Sequence, residues 1–375
     1  MIPFALFLWL GASRAPSSEP VLLRARWVID VESGRAIEHG SIAVSGERIR
    51  AEPADNARTI DLGEATLLPG LIDAHVHLML GGEPEANARA TLLAGFTTVQ
   101  DLGAVGDGNL ELRDAIAAGR VLGPRVVASG PWLGISGGIC DFQGIGVRGA
   151  EAFRERVRED VERGADLIKV CVSGWLEEAF RSPTRQEISV EELEAAIEEA
   201  HELGRRVAVH ALSEAGIEAP VARGADLVVH GGFTPARTVE RMKANGVRQL
   251  TTLWSLRQAG PESAFEALQS HLRSSMGLGL PLAFGTDAGV IPHGKNAREL
   301  AELSALGMRP EDALRAVTLE ASRAVGLEGQ VGTLAPGAFA DVIGVDGNPL
   351  EDLAALERVK FVMKGGRIVL GPDVK

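Results

Sequence analysis

The chain has 375 residues, enough for one barrel-sized domain with a small companion or for two to three average domains. Its 45% hydrophobic and 24% charged residues, free of any low-complexity tract, exclude a disordered chain. A formal charge of −13 argues against nucleic acid or an anionic membrane as partner, since both need clustered Lys and Arg. A small-molecule partner fits better, and a homo-oligomer stays open.

Residues 1–15 contain an apolar run from Ile2 to Leu10 followed by small residues, with Ser13 and Ala15 placed like a signal-peptidase site. The run is too short for stable membrane insertion. It reads as a signal peptide for export to the periplasm or outside; the missing basic residues before it keep a cytoplasmic location as the alternative. Cys140 and Cys171 lack the paired spacing of a zinc ribbon, and the expectation is two free thiols, with a disulfide as the lesser reading.

Short strands broken by turns follow: Val21–Val31, Ser41–Val44, Arg48–Ile49 and Arg58–Leu62. The same texture returns at Ala340–Val345 and Val359–Val369. Terminal segments of matching texture predict one composite β-sandwich, residues 20–64 plus 336–375, clamping an insert over 65–335.

The insert repeats a strand, a loop, an amphipathic helix and a glycine. Leu71–His77, Phe96–Leu102, Arg125–Ser129, Ala165–Val172, Arg206–His210, Ala225–His230, Val247–Leu253 and Leu280–Thr286 read as eight strands. Between the third and fourth, Phe153, Val157 and Val161 form a helix stripe closed by Gly164. Ser189 and Glu192 make a capping box for a helix that buries Leu193, Ala196, Ala200 and Leu203 and ends at Gly204. Eight such units in roughly 265 residues predict an α/β fold of the (β/α)8 TIM-barrel type, typically about 250 residues. A doubly wound open sheet is the alternative, but no Gly-rich dinucleotide fingerprint follows strand one.

In a barrel, chemistry sits at the C-terminal ends of the strands. Those ends carry His75 and His77, Lys169, His210, His230 and Asp287, each closing or interrupting an apolar run. Side chains alternate along a strand, so His75 and His77 face the same way and can hold two corners of a metal. A buried Lys and Asp cost several kcal/mol unless paired or metal-bound, so their convergence with four histidines points to a site rather than to scattered core polarity. His39, His201 and His271 fall in a turn and in helices and read as non-ligands; His293 lies on a loop beyond strand eight, where it would touch substrate or order the loop.

The run Pro69-Gly70-Leu71-Ile72-Asp73-Ala74-His75-Val76-His77, with Gly285-Thr286-Asp287-Ala288-Gly289 and Gly332–Ile343, resembles the signatures of the amidohydrolase superfamily over nearly the whole chain after the N-terminal segment. Ile168–Gly174 and Ala208-Val209-His210-Ala211 are similar to its prolidase-like and imidazolonepropionase-related branch. The resemblance implies a binuclear centre of two divalent ions, best suited to Zn2+: His75, His77 and Asp287 on one, His210 and His230 on the other, and Lys169 bridging after carboxylation by CO2. Asp287 would be the catalytic proton carrier for hydrolysis of an amide or peptide bond in a small molecule such as a dipeptide or an N-acyl amino acid. Cyclic amide, lactone or imidazolone hydrolysis, deamination, and metal binding without catalysis are the alternatives. Prolidase-like relatives carry a Tyr three residues after the strand-six His and a Gly-Gly-His after strand three; here Phe233 and Ile139 occupy those places. With these two taken as substrate residues, peptidase activity is expected to be slow or replaced unless Trp175, His293 or an arginine compensates.

Overall fold

The computed structural model describes residues 19–372; the expected signal peptide lies outside the described residues. Eight parallel strands run through the middle of the chain: β1 (Leu71–Val76), β2 (Phe96–Asp101), β3 (Arg125–Ala128), β4 (Leu167–Cys171), β5 (Arg206–Ala211), β6 (Leu227–His230), β7 (Arg248–Leu250) and β8 (Leu282–Ala283). They form two sheets, of order β3-β2-β1 and β4-β5-β6-β7-β8. Main-chain bonds cross both gaps between them. Leu133 N donates to Lys169 O (2.9 Å) and Cys171 N to Leu133 O (2.8 Å) on one side; Ala74 N donates to Phe284 O (3.0 Å) and Asp287 N to His75 O (2.8 Å) on the other.

Strands such as β4, Leu-Ile-Lys-Val-Cys, are buried on both faces, as expected of a parallel sheet covered by crossover helices. The helix Ala150–Glu162 buries Phe153 and Val157, and Gly164 turns the chain at φ 98°. The helix Val190–Glu202 starts at the expected capping box, with Glu192 N donating to Ser189 Oγ (3.2 Å) and Ser189 N to Glu192 Oε2 (2.8 Å). Leu203, expected on its buried face, lies past the helix end and is exposed. Among the described residues no helix is long and apolar enough to cross a membrane.

The two ends of the chain build two further sheets. One orders Arg48–Arg50, Ser41–Ser45, Val21–Arg24 and Arg58–Asp61; the other orders Arg367–Leu370, Val359–Lys364, Val342–Val345, Thr66–Pro69, Trp27–Asp30 and Arg35–Glu38. Leu23, Ile42, Val44 and Ile60 from the first meet Val342, Phe361 and Met363 from the second in one apolar cluster. The stretch expected as a single strand over Val21–Val31 divides at Ala25-Arg26, so its halves serve different sheets. Thr66–Pro69, placed by the sequence reading in the insert, pairs with Val342–Val345 and Trp27–Asp30; its side chains are buried on both faces, which suits an inner strand.

The chain passes from this terminal sheet into β1 at Gly70, where a Cβ would lie 2.1 Å from Thr97 Oγ1, so only glycine permits the close approach. Asp341 fastens the same junction. Its carboxylate accepts from Arg125 on β3 (2.5 Å) and from Gly365 N (2.7 Å), while its carbonyl accepts from Gly70 N (2.8 Å).

Candidate metal centre

His75 and His77 sit at the end of β1 with their Nε2 atoms 3.2 Å apart. Asp287, beyond β8, places Oδ1 3.5 Å from His75 Nε2 and 3.3 Å from His77 Nε2. Each of the three residues has one ligand atom within 4.8 Å of the others', and all three are buried. Across the cavity, His210 Nδ1 on β5 faces His230 Nε2 on β6 at 2.9 Å. Lys169, on β4 beside β5, lines the same cavity of about 70 Å³ and is 2% exposed.

Burial sets the charges. It drives the imidazoles of His75 and His210 well below the ordinary 6.5, with Lys169 adding to the effect, and brings His230 to about 3. Neutral imidazole is the form that ligates a metal. Burial also brings the Lys169 ammonium down to about 7. For Asp287 burial works against ionisation, but the imidazoles of His75, His77 and His230 outweigh it and hold the carboxyl well below the carboxylate range. Opposed ring nitrogens and a carboxylate oxygen, with no proton to place between most of them, form a donor set that fits divalent cations.

The backbone is strained at this site. His230 and Asp287 adopt φ of 69° and 62°, left-handed values that non-glycine residues rarely take. At His230 the strain is held by neighbours: Thr252 Oγ1 lies 2.7 Å from Nδ1, and Gln249 Nε2 donates to His230 O (3.2 Å) and Gly231 O (2.7 Å). At Asp287 the work falls to Asp73, whose carboxylate accepts from His75 N, Thr286 N, Thr286 Oγ1 and Asn296 Nδ2 at 2.6–3.1 Å. On β1, His77 Nδ1 lies 3.0 Å from Gly103 O, which orients the ring.

All six residues expected to ligate metal are therefore gathered around one cavity. Of the four expected near substrate, three do not line it. Trp175 does line the cavity, half-exposed, with its ring edge-on to His210 at 5.3 Å. Phe233 is turned away: Phe233 N donates to Leu212 O (3.1 Å), and the ring packs against Phe180 and His271. Ile139 packs with Trp132, Cys140 and Cys171 outside the cavity lining. His293 orders loops instead, with Nε2 3.1 Å from Leu80 O and Nδ1 3.4 Å from Thr91 Oγ1.

The two cysteines are also corrected. They form a disulfide, because the loop after β3 returns to β4 and brings their Cα atoms to 6.2 Å. Sequence reasoning missed the supports Gln249, Thr252 and Asn296, and Trp132, whose ring sits 5.4 Å from that of His77. Polar breaks at Gln249 and Thr252 in the apolar texture of strand seven, and a lone Trp just past strand three, were the available signals; Asn296, in a short helical turn beyond strand eight, gave none.

A model of the amidohydrolase family matches residues 66–369. The chain belongs to that family and is a hydrolase of its prolidase-like branch. It is 29% identical to ochratoxinase of Aspergillus niger, across 82% of this chain and 76% of that one. It is 26% identical to imidazolonepropionase of Erwinia tasmaniensis, across 90% and 91%. A solved Xaa-Pro dipeptidase with methionine in its active site superposes with a TM-score of 0.86 at 28% identity, over 94% of this chain and all of the other.

Proposed function

We propose that the chain is a binuclear metal-dependent hydrolase of C–N amide bonds in small molecules. One observation carries the reading: His75, His77, Lys169, His210, His230 and Asp287, from five strand ends, meet in one buried cavity. The superposition on the Xaa-Pro dipeptidase and the likeness to ochratoxinase support the reaction class. In this reading the two parallel sheets, bridged at both gaps, make one closed (β/α)8 barrel over 65–335, and the two terminal sheets make a composite β-sandwich.

His75, His77 and Asp287 would hold one cation and His210 and His230 the other, Zn2+ suiting this donor set best. When bound, the ions supply Lewis acidity, which activates water near neutral pH and polarises the scissile carbonyl. Burial brings the Lys169 ammonium down to about 7, and its free amine would add CO2 with loss of one proton to solvent, giving a carbamate whose single negative charge is shared by two oxygens that would help to hold the ions. Asp287, kept ionised, accepts a proton from the attacking water at its carboxylate and delivers it to the leaving nitrogen. His77 is held in place by Gly103 O and His230 by Thr252, so neither ring reorients during the reaction.

Elemental analysis after loading with Zn2+ and bicarbonate should give about two metals per chain, and Asp287→Asn should lower kcat for amide substrates by about 10²–10⁴-fold. Fewer than about one metal per chain with no turnover would favour a non-catalytic metal-binding protein. Full activity in Lys169→Ala would exclude the carbamate bridge. The disulfide also supports the reading that the chain works after export, in an oxidising compartment.

A further inference from the structure

The cavity over the centre has a polar floor and an apolar wall. The floor is the six residues above; the wall is Leu80, Trp132, Phe142, Trp175, Val290 and the disulfide half Cys140. Nine large hydrophobic residues are exposed among the described residues, and four of them, Leu80, Phe142, Trp175 and Val290, line this one cavity. They come from loops after β1, β3, β4 and β8, so the apolarity is not the accident of one loop. A group of exposed apolar side chains around a buried polar floor marks a surface made to be covered by an apolar ligand.

Charge points the same way. Among the residues lining the cavity Lys169, at the floor, is the one lysine and there is no arginine. Arginines of the neighbouring loops are committed elsewhere: Arg148 donates to Ser136 O (2.6 Å), and Arg185 pairs with Glu178 (2.5 Å). A carboxylate carried next to the scissile bond would be desolvated against this wall with no guanidinium to receive it. An aromatic ring would instead meet Trp132 and Trp175 in stacked or edge-on contact.

We propose that the substrate is a neutral amide bearing an aromatic or other large apolar group, without a carboxylate beside the scissile bond. This rests on the amide-hydrolase reading of the site, and it turns the substrate class away from the dipeptides and N-acyl amino acids expected from sequence. The wall residues, Trp175 foremost, set this specificity.

Two probes of nearly the same shape test it on the metal-loaded full chain: N-(2-phenylethyl)acetamide and N-acetylphenylalanine, which adds the carboxylate. Calorimetry reads binding, and amine release reads cleavage. The neutral probe should bind about tenfold more tightly than the anion, and Trp175→Ala, which removes a ring that both probes would meet, should weaken both. Equal or tighter binding of the anion, or no binding of the neutral probe up to its solubility, overturns the inference. Tighter binding of the neutral probe without cleavage of either upholds it and counts against the hydrolase reading instead.

Discussion

Gln249 makes no contact with the expected ligands' ring nitrogens, yet it holds the main chain at His230 and Gly231 through two hydrogen bonds. Gly231 adopts φ 61°, and a Cβ there would lie 2.1 Å from Gln249 Cδ, so the pair is fitted together. Gln249→Leu takes the side-chain donor from His230 O and leaves Gly231 O with Thr234 Oγ1 (2.9 Å), and should cost about 1–3 kcal/mol of stability. It should also weaken Zn2+ binding by about 10–100-fold, measured by competition with a chelator. Protonation gives a second check. The His230 ring gains its proton near the ordinary 6.5 in the unfolded chain but only near 3 when folded. Between those values the unfolded state binds more protons, so metal-free protein loses stability as the pH falls through that window. His230→Asn should make the loss shallower in denaturant melts at pH 7 and pH 5; equal losses in the two proteins would refute the assignment. The six polar side chains that meet in the cavity were legible because each breaks or closes an apolar run. Phe233 and Ile139 were not, since their direction depends on a left-handed turn and a disulfide that no spacing reveals.

The loop between β3 and the helix Ala150–Glu162 is tied to β4 at two places. Leu133 bonds along β4, and the Cys140–Cys171 disulfide closes a separation of 31 residues just two positions from Lys169. Linking the loop this way restricts the unfolded chain, worth about 2–4 kcal/mol for a native disulfide. Cys140→Ser with Cys171→Ser should lower the guanidinium midpoint accordingly, and reduction of the native protein should reproduce the shift. An unchanged midpoint in both would show that the tether adds nothing to stability. Strand and helix periodicity made the eight repeats readable, capping box included. The pairing of the cysteines was not readable, because the loop's return to β4 depends on main-chain bonds between residues far apart in sequence.

The two terminal segments meet through the apolar cluster around Phe361 and through main-chain bonds such as Ile49 N to Ala338 O (3.0 Å), and Asp341 fastens them to the parallel strands. Phe361→Ala should destabilise the protein by about 3–5 kcal/mol while leaving kcat at 25 °C unchanged, read by a thermal melt beside a rate assay. A fall in kcat without a fall in Tm would mean that the terminal sheets act on the centre directly. Turn-and-strand texture at both ends foretold that they would meet. The exact strand order was hidden, since Thr66–Pro69 joins by pairing with a segment more than two hundred residues later. The whole molecule also bears the left-handed backbone at His230 and Asp287. Glycine would relieve that strain, so His230→Gly should fold more stably than His230→Ala by about 1 kcal/mol. A duplicate of this gene released from selection for turnover would accordingly drift toward glycine or asparagine at these two positions. On the proposed function, histidine and aspartate there would be kept for activity against the pull of folding.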